Sequence, residues 1–459
     1  MRRTRSVGVI GAGVAGLTLA CLLAQRGHAV TVYDRGPLGG KLQRVWHAGR
    51  WIDSGPSLFT FPGVWRLVLS RLSETDPLDL QPLPGLGVHY VPGAQLPLPV
   101  PVDHPLYEHW VRYCNEVAPL APHIQTLLTT PPSLTRPRFV EASRALARLL
   151  LPHPNAERWL RARALPAPLH HALAAHTLNA GVGPHAGSAL YALLPALMAH
   201  DVWRPRQGMF ALIEALCGFA RARGVTLRPD TPVERLDVRG GLVDLGSEMR
   251  RHDQLVSAID PTRLAGLLGR ATPRGVLSVS GLALYGVTAS EAELPLPPTS
   301  VIAPSDYRSF EQAMRARVLA PDTLSLVHYQ HYQAYQASAR VLSVLLTVPA
   351  SAGAYRAQHP WVAGQLRRIE EQLGVSLHGE LSTALRISPA DLAVGGATGG
   401  AIYGRVFAPW RAGPLHPQRY RLGARLWQVG TGVHPGGGLP GVLGSALIVD
   451  ELLQQHHAP

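Results

Sequence analysis

Over the first 34 residues the hydrophobic pattern changes character three times. Ser6-Val7-Gly8-Val9-Ile10 is an apolar run of strand length, and Gly11-Ala12-Gly13-Val14-Ala15-Gly16 follows without a charged residue. Residues 17–26 are apolar over a helical length and close on Gly27, and residues 28–33 form a second strand-like run ending on Asp34. The pattern predicts strand, glycine turn, helix, strand, acid. The same order returns at the far end. Residues 426–430 read as a strand, a glycine-rich turn follows, and residues 442–454 read as an amphipathic helix. Between these ends the pattern predicts a helix over 210–223 and short strands at 225–227 and 255–259. Further strands follow at 281–287, 324–328 and 340–349, and then a helix over 361–373.

Each part of the first unit has a mechanical job. Gly11 makes the tight turn, Gly13 lets the backbone approach a pyrophosphate, and Gly16 lets the helix lie close on the strand. The helix N-terminus that follows offers unpaired N–H groups to the phosphates. Asp34 stands where a carboxylate grips a ribose 2′-hydroxyl. The competing reading is an export signal, because Arg2, Arg3 and Arg5 precede an uncharged run to Gln25. Four glycines, Gly8, Gly11, Gly13 and Gly16, interrupt that run and no cleavage site follows it, so dinucleotide binding is the better account.

Length and composition add limits. A chain of 459 residues suits two intertwined domains. A hydrophobic content of 46% with 16% charged residues is globular and somewhat apolar, and no clean membrane span stands out. The net charge of +13 is almost all arginine, Lys41 being the sole lysine. A basic surface favours anionic partners. No nucleic-acid motif is present, which leaves an anionic membrane face as the expected partner. Cys21, Cys114 and Cys217 are far apart and odd in number, which fits neither a disulfide framework nor a zinc motif and points to the cytoplasm. His170-His171, His176, and His328 with His331 are the closest histidine groupings, and none has a metal-ligand spacing.

After Asp34 comes a second glycine pair, in Arg35-Gly36-Pro37-Leu38-Gly39-Gly40-Lys41. A nicotinamide site has no use for it. A flavin with a long extended diphosphate does, because backbone must approach it again, and Lys41 adds a cation beside the run. Asp53-Ser54-Gly55-Pro56-Ser57 then ends a strand in a turn. The C-terminal turn is Gly430-Thr431-Gly432-Val433-His434-Pro435-Gly436-Gly437-Gly438-Leu439-Pro440-Gly441. Its glycines admit backbone beneath a ring, and a helix N-terminus there can stabilise negative charge on a reduced flavin.

The motifs in this order resemble the flavin-containing amine oxidase superfamily, and within it the phytoene desaturase family of carotenoid enzymes. The family more often has Glu at the position of Asp34. The His434-Pro435 pair is similar to carotenoid desaturases and is typically absent from amine oxidases. The resemblance implies an α/β fold: a discontinuous Rossmann-type FAD-binding domain, a mixed-sheet substrate domain and a helical insertion. The FAD-binding domain is then assembled from 1–75, 204–277 and 395–459. Residues 76–203 form the helical insertion and 278–394 the substrate sheet. FAD is the implied cofactor. The implied contacts are Gly11, Gly13, Val14, Ala15, Gly16, Asp34 and Arg35, then Gly39, Gly40, Lys41, Gly55, Pro56 and Ser57. Val233 of the Pro232-Val233 segment meets the adenine, and Gly430, His434, Gly436, Gly437, Leu439 and Pro440 hold the isoalloxazine end. His434 is the one catalytic candidate, on the flavin side, and no metal is required.

The implied reaction is desaturation of an acyclic carotenoid, with oxygen or a quinone as electron acceptor. Val433-His434 and Leu58-Phe59-Thr60-Phe61-Pro62 are slightly more similar to the end-group desaturases, which act at the 3,4 position of hydroxyneurosporene-type carotenoids. The alternatives are stepwise desaturation of phytoene, a flavin-dependent carotene isomerase or oxygenase relative, and a non-catalytic flavoprotein. A terminal hydroxyl would be measured by polar residues of the inserted domains, with His176, Asn179 and Tyr329 as candidates. Residues 139–165 interleave Arg144, Arg148, Arg158, Arg161 and Arg163 with leucines and Trp159. Two readings stand equal there: a peripheral face on the cytoplasmic membrane, or an ordinary amphipathic helix on the core.

Overall fold

The structure is a computed structural model that describes residues 4–288, 294–332, 339–353, 355–356, 358–411 and 415–456, with the side chains of residues 288, 330–332 and 339 outside that set. His331, grouped with His328 above, is one of those side chains. Five parallel strands form the central sheet, in the order Thr226–Arg228, Ala29–Tyr33, Ser6–Ile10, Gln254–Ser257 and Leu426–Gln428. The strands come from three distant parts of the chain, and their carboxyl ends point to one edge, where open α/β sheets take ligands. Helix Val14–Gln25 is buried from Val14 to Leu23. Helices Ala211–Ala222 and Leu439–His456 pack against it. A helix apolar on every side must be covered on every side. It starts three residues before the expected position, because Gly13 already serves as its N-cap.

A second, seven-stranded sheet runs in the order Leu385–Ile387, Ser280–Thr288, Ala339–Val348, Ser325–Tyr332, Thr299–Ile302, Gly87–Val91, Ala94–Leu98. Its last two strands are a hairpin from inside residues 76–203, the segment expected to be a helical insertion. That expectation is corrected here. Thr299–Ile302 pairs in parallel with Gly87–Val91, a long-range contact that no local pattern announces. The prolines that obscured the hairpin fit its place, because Pro97 lies on the edge strand, where a missing N–H is harmless.

The sheet alternates in period two. On the outer face Leu282, Leu284, Leu342 and Leu346 pack with Val362 and Ile369 of helix Pro360–Leu373. On the inner face Ala283, Leu326, His328, Ser343 and Leu345 line a large cavity. Helices Ala121–Thr129 and Pro137–Leu150 contribute Ile124, Leu127 and Leu146 to the lining of the same cavity.

The basic apolar stretch splits into helix Pro137–Leu150 and helix Ala156–Arg161. Phe139, Ala142, Leu146, Trp159 and Leu160 are buried in the core beside Trp110 and Tyr113. Arg163 is held by the Glu116 carboxylate and lies over the Trp159 ring. The apolar half of this stretch thus serves the interior, while Leu134 and Leu151 stay exposed at 89% and 73% beside exposed arginines. No helix among the described residues is long and apolar enough to cross a membrane.

One ion pair ties the first and last segments together. Arg26 donates from Nε to Asp450 Oδ1 at 2.7 Å and from Nη2 to Oδ2 at 2.6 Å. The Asp450 side chain is wholly buried, while that of Arg26 is 24% exposed. The two partners are therefore unequal. Arg26→Ala strands a buried carboxylate and is expected to lower stability by about 3–5 kcal/mol. Asp450→Asn leaves the arginine partly solvated and should cost less. Urea midpoints of the two variants check this, and equal losses would show that the carboxylate does not depend on Arg26.

Candidate functional site

Three glycine turns meet at the carboxyl ends of the parallel strands. Gly11 has a φ of +106°, and its N–H donates to the Tyr33 carbonyl at 2.8 Å. A Cβ on Gly16 would stand 2.0 Å from the Gly11 oxygen, so the helix can approach the turn only without a side chain. The second turn lies alongside the first. Gly39 N–H donates to the Ala12 carbonyl at 2.8 Å, and a Cβ on Gly40 would sit 3.1 Å from the Gly13 Cα. In the third, Gly430 N–H donates to Ser445 Oγ at 2.9 Å, and a Cβ on Gly430 would be 3.6 Å from that of Ala15. Gly436 has a φ of +108° with open space beside it.

Gly13 differs from its neighbours. Its φ of −77° suits any residue, and an added Cβ would meet the protein no closer than 3.9 Å. The protein itself therefore has no need of a glycine there. The room is on the cavity side, next to free helix amides, which is what a diphosphate requires.

Asp34 is engaged within the turn. Its Oδ2 accepts from the Ala12 N–H at 2.7 Å and its Oδ1 from the Gly36 N–H at 3.1 Å. A carboxylate has lone pairs beyond these two bonds, and Asp34 still lines the cavity. Arg35 donates to the Val394 carbonyl and lies beside Arg263. Val233 is buried with Ile10, Tyr33 and Leu267 in an apolar corner of the cavity. Lys41 faces the cavity and donates from Nζ to the Ile402 carbonyl. The protein wall around it pulls its pKa down to about 8, against the opposing influence of Asp260. Gly55, Pro56 and Ser57 line the cavity too, and Gly55 N–H reaches Tyr285 Oη of the second sheet at 3.4 Å. Leu439 and Pro440 stand at the start of the last helix, also on the cavity. The geometry fits a flavin dinucleotide lying across the sheet edge.

His434 lines the cavity but is 4% exposed, and its Nε2–H donates to the Leu127 carbonyl at 2.8 Å. That bond ties the C-terminal turn to helix Ala121–Thr129, which makes His434 a positioning residue. Of the polar candidates, His176 and Asn179 line the cavity. Tyr329 does not: it points into the outer core, where its hydroxyl accepts from the Leu294 N–H at 3.2 Å. Its strand position puts it on the opposite face from His328, one residue away.

Sequence reasoning missed several residues. Asp53 is buried and accepts from the Phe210 N–H at 3.0 Å, so the Asp-Ser-Gly-Pro turn anchors the start of helix Ala211–Ala222. Asp260 caps helix Pro261–Leu267 through the Thr262 N–H and lines the cavity. Tyr403 packs its ring where a Cβ on Gly437 would stand, 2.4 Å from Cδ1. The partners of Asp53 and Tyr403 lie far away in the chain, so their only signal was an acid or aromatic beside a turn, whereas Asp260 is a local cap whose place on the cavity depends on the fold.

The cavity has a volume of about 680 Å³ and runs from the glycine turns between the second sheet and the helices. Away from the turns its walls are mostly aliphatic, with Leu127, Leu146, Leu190, Leu194, Met198 and Leu326 among them. His176, His328 and Tyr403 are neutral, in contrast to the charged groups at the turns. Burial pushes His176 and His328 down to about 4 and Tyr403 up to about 12. Among the described residues no group of His, Cys, Asp or Glu could hold a metal ion.

Residues 14–289 match the flavin containing amine oxidoreductase family. The chain belongs to that family. It is a flavin-dependent oxidoreductase. It is 28% identical to a hydroxyneurosporene desaturase of Rubrivivax gelatinosus, over 99% of this chain and 94% of that protein. It is also 28% identical to a zeta-carotene-forming phytoene desaturase of Myxococcus xanthus, over 98% and 94%. Among solved structures, a redesigned putrescine oxidase shares the fold with a TM-score of 0.67 at 16% identity, over 98% of this chain and 99% of that one.

The glycine contrast is testable. Gly13→Val should leave the fold intact, since no protein atom opposes it, but fill the diphosphate path, so purified protein should lose most of its flavin. Gly16→Val should lose flavin and thermal stability together. Normal flavin absorbance in Gly13→Val would refute the cradle.

Proposed function

We propose that the protein is an FAD-dependent desaturase that introduces a carbon–carbon double bond into an acyclic carotenoid, near one end of the chain. The observation that supports it most is the continuity of the cavity, which joins a dinucleotide cradle to a long arm with aliphatic walls. A polyene fits such an arm, whereas an amine would leave its charge unpaired there. The end position rests on the likeness to a hydroxyneurosporene desaturase. An equal likeness to a phytoene desaturase makes stepwise desaturation of phytoene the second reading.

In desaturation two adjacent carbons lose a hydride and a proton, and the two electrons pass on to an acceptor such as oxygen or a quinone. Bound flavin supplies the hydride-accepting chemistry. The chain's own contribution is placement and dryness. The sheet face and the helices hold the polyene in one orientation and keep water from the reacting carbons. A cation next to a conjugated chain is delocalised, so the proton departs without a strong base, in keeping with the neutral His176 and His328 among the aliphatic walls.

Anaerobic mixing of the holoenzyme with a 1-hydroxylated acyclic carotene should bleach the oxidised flavin band. The product should be two hydrogens lighter and absorb at longer wavelength. Turnover of phytoene through several steps, with hydroxylated carotenes ignored, would replace the end-group reading by the second one. Bleaching by no carotenoid would remove both.

A carotenoid is delivered from a bilayer, and peripheral contact with an anionic membrane face belongs to this reading. Exposed Arg138, Arg144, Arg148, Arg158 and Arg161 beside Leu134 and Leu151 support it, as does the net charge of +13. Screening shortens to about 3 Å at 1 M salt. Binding to anionic vesicles should therefore fall at high salt, and equal binding to neutral and anionic vesicles would defeat the proposal.

A further inference from the structure

Two arginines meet at the ribose end of the cradle. Arg35 follows Asp34 in the loop after strand Ala29–Tyr33, and Arg263 lies in the first turn of helix Pro261–Leu267. A Cβ on Gly396 would stand 3.2 Å from Arg35 Nη2 and 3.6 Å from Arg263 Nη1. Two guanidinium groups from distant parts of the chain therefore converge on one point of backbone. Gly396 has a φ of +102°, and a side chain there would fill the room that the two arginines share. All three residues line the cavity.

No acid in the protein balances this pair. Arg35 donates to the Val394 carbonyl, and among the described residues neither arginine forms an ion pair with a carboxylate. Asp34 stands near, but its two oxygens accept from the Ala12 and Gly36 N–H groups. Asp260 is taken up by the Thr262 N–H and the Thr398 hydroxyl. Burial pulls Arg263 below its ordinary pKa, and the charge of Arg35 adds to that pull while Asp34 opposes it. A guanidinium stays charged regardless. Two like charges side by side, one of them partly buried, repel each other and are imperfectly hydrated. The charge that balances them has to come from the cavity.

The neighbours identify the anion. One turn along the helix from Arg263, Leu267 closes with Val233 the apolar corner that suits an adenine. Asp34 suits the ribose, and the free amides beside Gly13 suit the diphosphate. The arginines thus stand among the groups for the adenosine diphosphate half of FAD, which brings two negative charges. Guanidinium forks match phosphate oxygens and lie flat on aromatic rings, so arginine fits here where lysine would not.

We infer that Arg35 and Arg263 form a clamp for the adenosine diphosphate half of FAD, with charges that repel each other in the empty site and are balanced when the cofactor arrives. This rests on the FAD reading of the cradle. It adds a residue, Arg263, and a sign: the pair weakens the flavin-free protein and strengthens the loaded one. A side chain that merely packs would strengthen both.

Purified full-length protein is compared with and without its flavin. Arg263→Gln removes the charge but keeps part of the stem. Flavin release from diluted holoenzyme, followed by fluorescence, should become about tenfold faster, and the Kd of the stripped protein for ADP alone should rise by a similar factor. The melting temperature should fall in the holoenzyme, yet stay level or rise in the stripped protein at low salt. At 1 M salt that contrast should shrink, because screening shortens to about 3 Å. Arg35→Gln, at an exposed position, should repeat the pattern. An Arg263→Gln protein that holds FAD and ADP as wild type does, or that loses stability without flavin as well as with it, overturns the clamp while the FAD reading stands. A wild type that takes up neither FAD nor ADP removes both.

Discussion

At 2.0 Å from the Gly11 carbonyl oxygen, a Cβ on Gly16 could not exist, and everything at the carboxyl edge of the sheet follows from that contact. It lets helix Val14–Gln25 start directly against the strand before it, which aims the first free amides at the cavity. The second turn can then lie backbone to backbone on the first, through Gly39 and Gly40. The third reaches Ala15 from the last segment of the chain. Two neighbouring turns and a third nearly four hundred residues further along are brought together by backbone that no side chain holds apart. Glycine costs about 0.5–1 kcal/mol of conformational freedom per site in regular structure. Ties such as Arg26 with Asp450, and Asp53 with the Phe210 N–H, stabilise the resulting arrangement from the far side.

What could be read from the sequence divides along the same line. The first turn was legible because strand, glycines, helix and acid are contiguous, and short-range sterics specify them. The inner and outer faces of Ser280–Thr288 and Ala339–Val348 were legible as strands because period two is a local property. The hairpin Gly87–Leu98 was not, because its reason to exist is the strand Thr299–Ile302, some two hundred residues away. Tyr329 shows the limit in a single residue. A strand sends neighbours to opposite faces, so Tyr329 and His328 look equivalent in a list of polar candidates, yet one packs in the outer core and the other faces the cavity.

The two sheets divide the chemistry by dielectric. The parallel edge presents amides, Arg35, Lys41 and Arg263, which suit an anionic dinucleotide. The mixed sheet presents aliphatic side chains and groups that burial keeps neutral, which suit a substrate without charge. Tyr285 spans the boundary, with its hydroxyl towards the Gly55 N–H and its strand in the second sheet. A charged residue in the arm would be solvated poorly and would drag water in with it. A neutral imidazole such as that of His328, which burial pushes down to about 4, does not.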